Sequence, residues 1–137
     1  SYVNKHAEWS QYGTIVRWRK SYTNFVIYGK FRLVSDCIRK LWKIKIVSCE
    51  DRFMGFKLGL TTGGVSGRLT ELTSRRFIDE DVKVGDVITM IYTHRQCRRR
   101  LSFKINDNFI EIINVYGATK ELYLGIQMDC SMTLQIL

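Results

Sequence analysis

Apolar and polar residues alternate over short stretches of this chain, and the alternation predicts strands rather than helices. From Leu41 to Val47, Trp42, Ile44 and Ile46 fall on one side and Lys43 and Lys45 on the other, the two-residue period of a strand with one buried and one wet face. From Phe53 to Leu60, Met54, Phe56, Leu58 and Leu60 alternate with Gly55, Lys57 and Gly59. These two stretches are expected to pair, with the glycines leaving room for another layer to approach closely. Leu101, Phe103 and Ile105 alternate with Ser102, Lys104 and Asn106. Just upstream, Val87, Ile88, Met90, Ile91 and Tyr92 make a stretch that is apolar on both sides, which suits an inner strand covered on both faces. Together they predict a long β-hairpin from Val84 to Asn106 across a strongly basic turn.

Further strands are expected at Thr14–Arg19, Asn24–Tyr28, Phe109–Ile113, Leu122–Gln127 and Met132–Leu137. About eight or nine strands in all, separated by polar or glycine-containing turns, favour a β-sandwich. Between Thr61 and Val82 the pattern weakens, and a long loop with one short strand or turn is expected. Leu69 and Leu72 start a possible helical stripe that Thr73-Ser74-Arg75-Arg76-Phe77-Ile78-Asp79-Glu80-Asp81 does not continue. With no linker, repeat or low-complexity segment, residues 1–137 are expected to form a single domain.

The chain has 137 residues and 45% hydrophobic content, enough for the core of one globular domain. No run reaches the ~18 to 20 apolar residues of a membrane-spanning helix. The first residues lack the apolar centre of a signal peptide, so a soluble, intracellular, cytoplasmic protein is expected. Cys37, Cys49, Cys97 and Cys130 show no paired metal spacing, and free thiols are expected of them. Twenty-two Lys and Arg against thirteen Asp and Glu give a net charge of +9, which draws anionic partners without naming one.

Catalysis by a nucleophile requires a base and an orienting group within reach of it. His6 and His94 are the only imidazoles, and neither belongs to such a set or to a metal-ligand spacing; His94 is expected on an exposed turn. Gly63, Gly64 and Gly67 lack the lysine and the strand–loop–helix setting of a phosphate loop. No catalytic residue, metal or cofactor is therefore assigned. Two binding candidates stand out. Arg95, Arg98, Arg99 and Arg100 crowd the hairpin turn, where guanidinium groups can clamp carboxylates or phosphates, against the plainer reading of a solvated hairpin end. No aromatic residue lies between them to stack on bases. Near the first strand, Trp9, Tyr12, Trp18 and Tyr22 are interleaved with Arg17 and Arg19, the residue types that dominate protein interfaces; core and edge packing is the competing account.

Taken in order, several motifs resemble the neuralized homology repeat (NHR), a member of the SPRY-like family. His6, Gly13-Thr14-Ile15-Val16-Arg17-Trp18-Arg19, Ser21-Tyr22 and Asn24-Phe25-Val26-Ile27-Tyr28 are similar to its opening, and Arg32-Leu33 to an arginine–proline–leucine step without the proline. Leu41–Ile46 and Met54–Thr61 resemble its central strands, Gly85-Asp86-Val87-Ile88 a later glycine–aspartate step, and Leu101–Asn106 its L-x-F-x-hydrophobic-N strand. The glycine expected after that asparagine is Asp107, which also tolerates a left-handed turn. Tyr123–Asp129 and the last residues resemble the terminal strand pair, and a SPRY domain outside the neuralized group shares these later strands.

The resemblance implies an all-β, antiparallel bent sandwich of the concanavalin-like jelly-roll type. It also implies a non-catalytic module that binds a short peptide of a protein partner through loops at one rim, in company with ubiquitin-ligase machinery. Loops at 9–13, 20–23, 63–68 and 114–120 are the expected rim, and Trp9, Tyr12, Arg17 and Tyr22 the expected peptide-binding residues. The alternative from charge is a nucleic-acid or anionic-lipid binder acting through Arg95, Arg98, Arg99 and Arg100, with the steep salt dependence of such contacts.

Overall fold

The computed structural model describes residues 7–10, 15–18, 25–33, 39–50, 55–61, 73–115, 122–128 and 130–137. Eleven strands lie in these segments: β1 (Ala7–Ser10), β2 (Ile15–Trp18), β3 (Phe25–Leu33), β4 (Arg39–Cys49), β5 (Phe56–Thr61), β6 (Ser74–Phe77), β7 (Val87–Arg95), β8 (Arg98–Ile105), β9 (Asn108–Val115), β10 (Leu122–Met128) and β11 (Met132–Ile136). They form two antiparallel sheets. One has seven strands in the order β1-β2-β11-β4-β7-β8-β9, the other four in the order β3-β10-β5-β6.

Alternation along the strands decides which faces meet. On β4, Trp42, Ile44 and Ile46 are buried while Leu41, Lys43, Lys45 and Val47 are exposed. Ile88, Met90 and Tyr92 of β7, with Leu101, Phe103 and Ile105 of β8, continue that apolar face across the sheet. Phe56, Leu58 and Leu60 of β5 and Leu124 and Ile126 of β10 belong to the same core cluster from the opposite sheet. Aromatic rings line the contact between the layers: Phe56 stacks on its sheet neighbour Phe77 at 5.4 Å, and Phe77 meets Phe103 of the opposite sheet edge-on at 5.9 Å. Such pairs add about 0.5–1.5 kcal/mol beyond the area they bury.

Two expectations are corrected. The stretches 41–47 and 53–60 do not pair: β4 lies between β11 and β7, whereas β5 lies between β10 and β6 in the other sheet. Two strands with one apolar face each can bury it side by side or face to face, and a period of two does not distinguish these. The glycine at 59 admits a neighbour in its own sheet rather than another layer. A Cβ there would stand 2.5 Å from Ser74 Cα, the residue it pairs with on β6. The short strand expected between Thr61 and Val82 is β6, and the rejected helix at Leu69 and Leu72 lies outside the described residues, as do His6, Tyr12, Tyr22, Cys37, Gly63, Gly64 and Gly67.

The hairpin of β7 and β8 runs in register from Ile88 opposite Ile105 to Arg95 opposite Arg98. Its turn takes only Gln96 and Cys97, at φ 48° and 65°, the two left-handed residues of a tight hairpin turn. Asn106 and Asp107, at φ 48° and 69°, make the same kind of turn into β9. Asn106 also locks the hairpin to the preceding loop. Its Nδ2 donates to Asp86 Oδ1 at 2.8 Å, and its Oδ1 accepts from Val87 N at 2.9 Å. Asp86 Oδ2 accepts from Lys83 N at 3.0 Å, while Ile46 N donates to Asp86 O at 3.0 Å and Gly85 N to Ile46 O at 2.8 Å. Gly85 holds φ 97°, which favours glycine. The glycine–aspartate step and the terminal asparagine of the L-x-F-x-I-N strand are thus two halves of one structural clasp.

Candidate functional site

Of the aromatic candidates, Trp9 lies on β1 opposite Val16, and Arg17 on β2 opposite Glu8. The pairing makes residues 9 and 10 part of an edge strand rather than a rim loop, because β1 closes the free side of β2. Val16 is fully buried, so Trp9 occupies the register row of a core residue, and Arg17 the next row. The Arg17 guanidinium donates to Glu50, with both side chains more than two-fifths exposed. A pair that exposed is worth at most about 1 kcal/mol. Tyr12 and Tyr22 lie outside the described residues.

The basic candidates are placed differently from the expected turn. Because the turn consumes only Gln96 and Cys97, Arg95, Arg98, Arg99 and Arg100 sit on paired strands, Arg95 opposite Arg98, His94 opposite Arg99 and Thr93 opposite Arg100. His94 is accordingly a half-buried strand residue rather than an exposed turn residue. The run also splits between faces. Arg98 and Arg100 are exposed, while Arg99 is half-buried in the row of Val115. An open cleft of about 300 Å³ at this end is lined by Cys97, Arg98, Arg99, Arg100, Asn114 and Val115.

Register brings further cations to the outer side of the same sheet. Across β4, β7, β8 and β9, Arg39 aligns with Thr93, Arg100 and Asn114; Leu41 with Ile91, Ser102 and Ile112; and Lys43 with Thr89, Lys104 and Phe109. The result is a row that is apolar but for Ser102, between two rows that carry cations. Strands β4, β7 and β8 contain no Asp or Glu. No ion pair of Lys43, Lys45, Arg100 or Lys104 occurs among the described residues. Glu111 of β9 is engaged elsewhere, with Arg75 of β6. That arginine lies 3.9 Å from Asp81 and 5.3 Å from the centre of the Phe77 ring, and so ties the edges of the two sheets together.

The alternation of Lys43 and Lys45 against Trp42 and Ile44 was the available signal for this face, but its rows depend on pairing between strands distant in sequence. Among the described residues no disulfide joins the thiols of Cys49, Cys97 and Cys130, and Cys49 Sγ lies 3.8 Å from Cys130 Sγ.

No helix among the described residues is long and apolar enough to cross a membrane. Neither a protein-family model nor a curated protein sequence matches the chain. Solved structures do. The NHR1 domain of Neuralized from Drosophila melanogaster superposes with a TM-score of 0.68 at 12% identity, covering 100% of this chain and 94% of that one. A solution structure of the NHR domain of the same fly protein gives 0.70 at 13% identity, covering 97% and 86%. The SPRY domain of human HERC1 gives 0.65 at 17% identity, covering 96% and 94%. The chain has the NHR/SPRY-like fold, an all-β sandwich of two antiparallel sheets.

Proposed function

We propose that residues 1–137 form one non-catalytic protein-interaction module, which binds a short peptide segment of a partner through loops at one rim of the sandwich. The observation that carries this reading is the fold, shared along nearly the whole chain with NHR and SPRY domains. A sandwich of this kind supports it physically. Two sheets sharing one apolar core make a preformed scaffold, on which a peptide can bind with little reordering of the frame. In the cell the module recruits a substrate or regulator to a larger assembly, with ubiquitin-ligase machinery as the setting suggested by the NHR resemblance.

Trp9, Tyr12, Arg17 and Tyr22 are the proposed peptide contacts, with Trp9 and Arg17 contributed by the edge strands β1 and β2 rather than by a loop. Arg17 suits that role because its partner Glu50 is exposed, and exchanging one exposed carboxylate for another costs little. The test is affinity capture from the native cell followed by mass spectrometry, with Trp9→Ala, Tyr12→Ala and Arg17→Ala compared with the unaltered protein after folding is confirmed. Loss of at least one partner by one of the three is expected. Retention of every partner by all three contradicts the assignment of this patch.

A further inference from the structure

The outer face of β4, β7, β8 and β9 is a second surface, distinct from the β1–β2 pair that carries Trp9 and Arg17. Leu41, Ile91, Ser102 and Ile112 form a row across β4, β7, β8 and β9 that is apolar but for the half-buried Ser102, with Leu41 41% and Ile112 47% exposed. Arg100 stands on one side of this row and Lys43 and Lys104 on the other. We infer that this face is a docking site for an acidic amphipathic segment of a partner protein, its apolar edge on Leu41, Ile91 and Ile112 and its carboxylates on the flanking cations.

Dimensions and chemistry favour that occupant. Arg100 and Lys104 are four residues apart on one strand, so the flanking rows stand ~13 Å apart at the rise of a strand. A helix with its side chains is about 10–12 Å across. The apolar row crosses three strand spacings, ~14 Å, matched by about nine or ten helical residues at 1.5 Å each. Lysine and arginine side chains are longer than leucine and isoleucine, so the charged heads of Arg100, Lys43 and Lys104 can reach the flanks of a segment lying along this row.

A bilayer is a poor match, because interfacial binding draws on a large apolar face rich in Trp, Phe and Leu, and this row offers only Leu41, Ile91 and Ile112. Nucleic acid is also a poor match. The outward positions of β4, β7 and β8 hold no aromatic residue, and the one exposed ring among the described residues, Phe109, lies at the sheet edge beside Lys104. Base stacking requires such rings. Charge complementarity selects an acidic partner, since the three strands carry no acidic residue of their own.

The test uses a fluorescein-labelled synthetic helix of about 15 residues, Leu at i, i+3, i+4 and i+7 with Glu on both flanks. It is compared with a scrambled peptide of identical composition, a single-stranded RNA oligonucleotide and phosphatidylserine vesicles. Fluorescence anisotropy should show the amphipathic peptide binding about tenfold or more tightly than the scrambled one, and the triple variant Lys43→Glu, Arg100→Glu, Lys104→Glu should lose that affinity by about tenfold or more. The pair Leu41→Ser, Ile112→Ser, which retains every charge, should weaken it several-fold. Circular dichroism and urea unfolding establish that each variant is folded. Trp9→Ala and Arg17→Ala should leave the affinity for this peptide unchanged, which separates this site from the contacts proposed on β1 and β2. Equal binding of the scrambled peptide, tighter binding of RNA or vesicles, or full affinity in the triple variant would overturn the inference.

Discussion

The two faces of β4, β7 and β8 are built from the same three strands and have opposite characters. Inward, Ile44, Ile88, Met90, Leu101 and Phe103 are fully buried. Outward, Lys43, Arg100 and Lys104 stand beside exposed or half-exposed apolar side chains, with no carboxylate on the three strands. A surface tuned only for solubility intersperses both signs of charge. One that keeps a single sign accepts self-repulsion, which destabilises the compact state. The difference teaches that the inner face accounts for the fold while the outer face is free to serve binding.

Substitutions on either side of the strands can break that division. The largest effect is expected from Phe103→Ala, which empties the contact between the sheets; a loss of about 3–5 kcal/mol is expected in urea unfolding. Asp86→Ala should cost about 1–3 kcal/mol, because it leaves the Lys83 amide and the Asn106 side-chain amide without their acceptor. A smaller gain is expected at the basic end. Gln96 and Cys97 hold left-handed backbone without being residues that favour it, and replacing them with Asn and Gly should stabilise the protein by about 1 kcal/mol, read as a higher thermal midpoint. On the outer face, Ile112→Ser should change stability by less than about 0.5 kcal/mol. A cost like that of Phe103→Ala would make this face part of the core.

Much of this was legible in the sequence because it is local. The two-residue period on β4 and β8 identified which side chains are buried, and the tolerance of Asn106 and Asp107 for left-handed backbone marked the second hairpin turn. Pairing between distant strands was not legible. Alternation alone placed 41–47 beside 53–60, where the chain instead crosses between sheets, and it gave no sign that Ala7–Ser10 forms an edge strand on β2. The arginine run read as a turn because its charge is exposed-looking, yet the turn needs only two residues and the arginines extend the strands. The cationic rows escaped notice for the same reason, since Lys43 and Lys104 are distant in sequence and meet only through β7.

The most direct measurement of the division between faces is urea unfolding of the triple variant Lys43→Glu, Arg100→Glu, Lys104→Glu. These cations have no counter-ion among the described residues, and reversing them introduces acidic groups beside Lys45, Arg95 and Arg98. The unfolding free energy should therefore be equal to or greater than that of the unaltered protein. A loss of more than about 1 kcal/mol would show that the charges hold the fold together, and would contradict the account of the outer face as a surface kept for a partner.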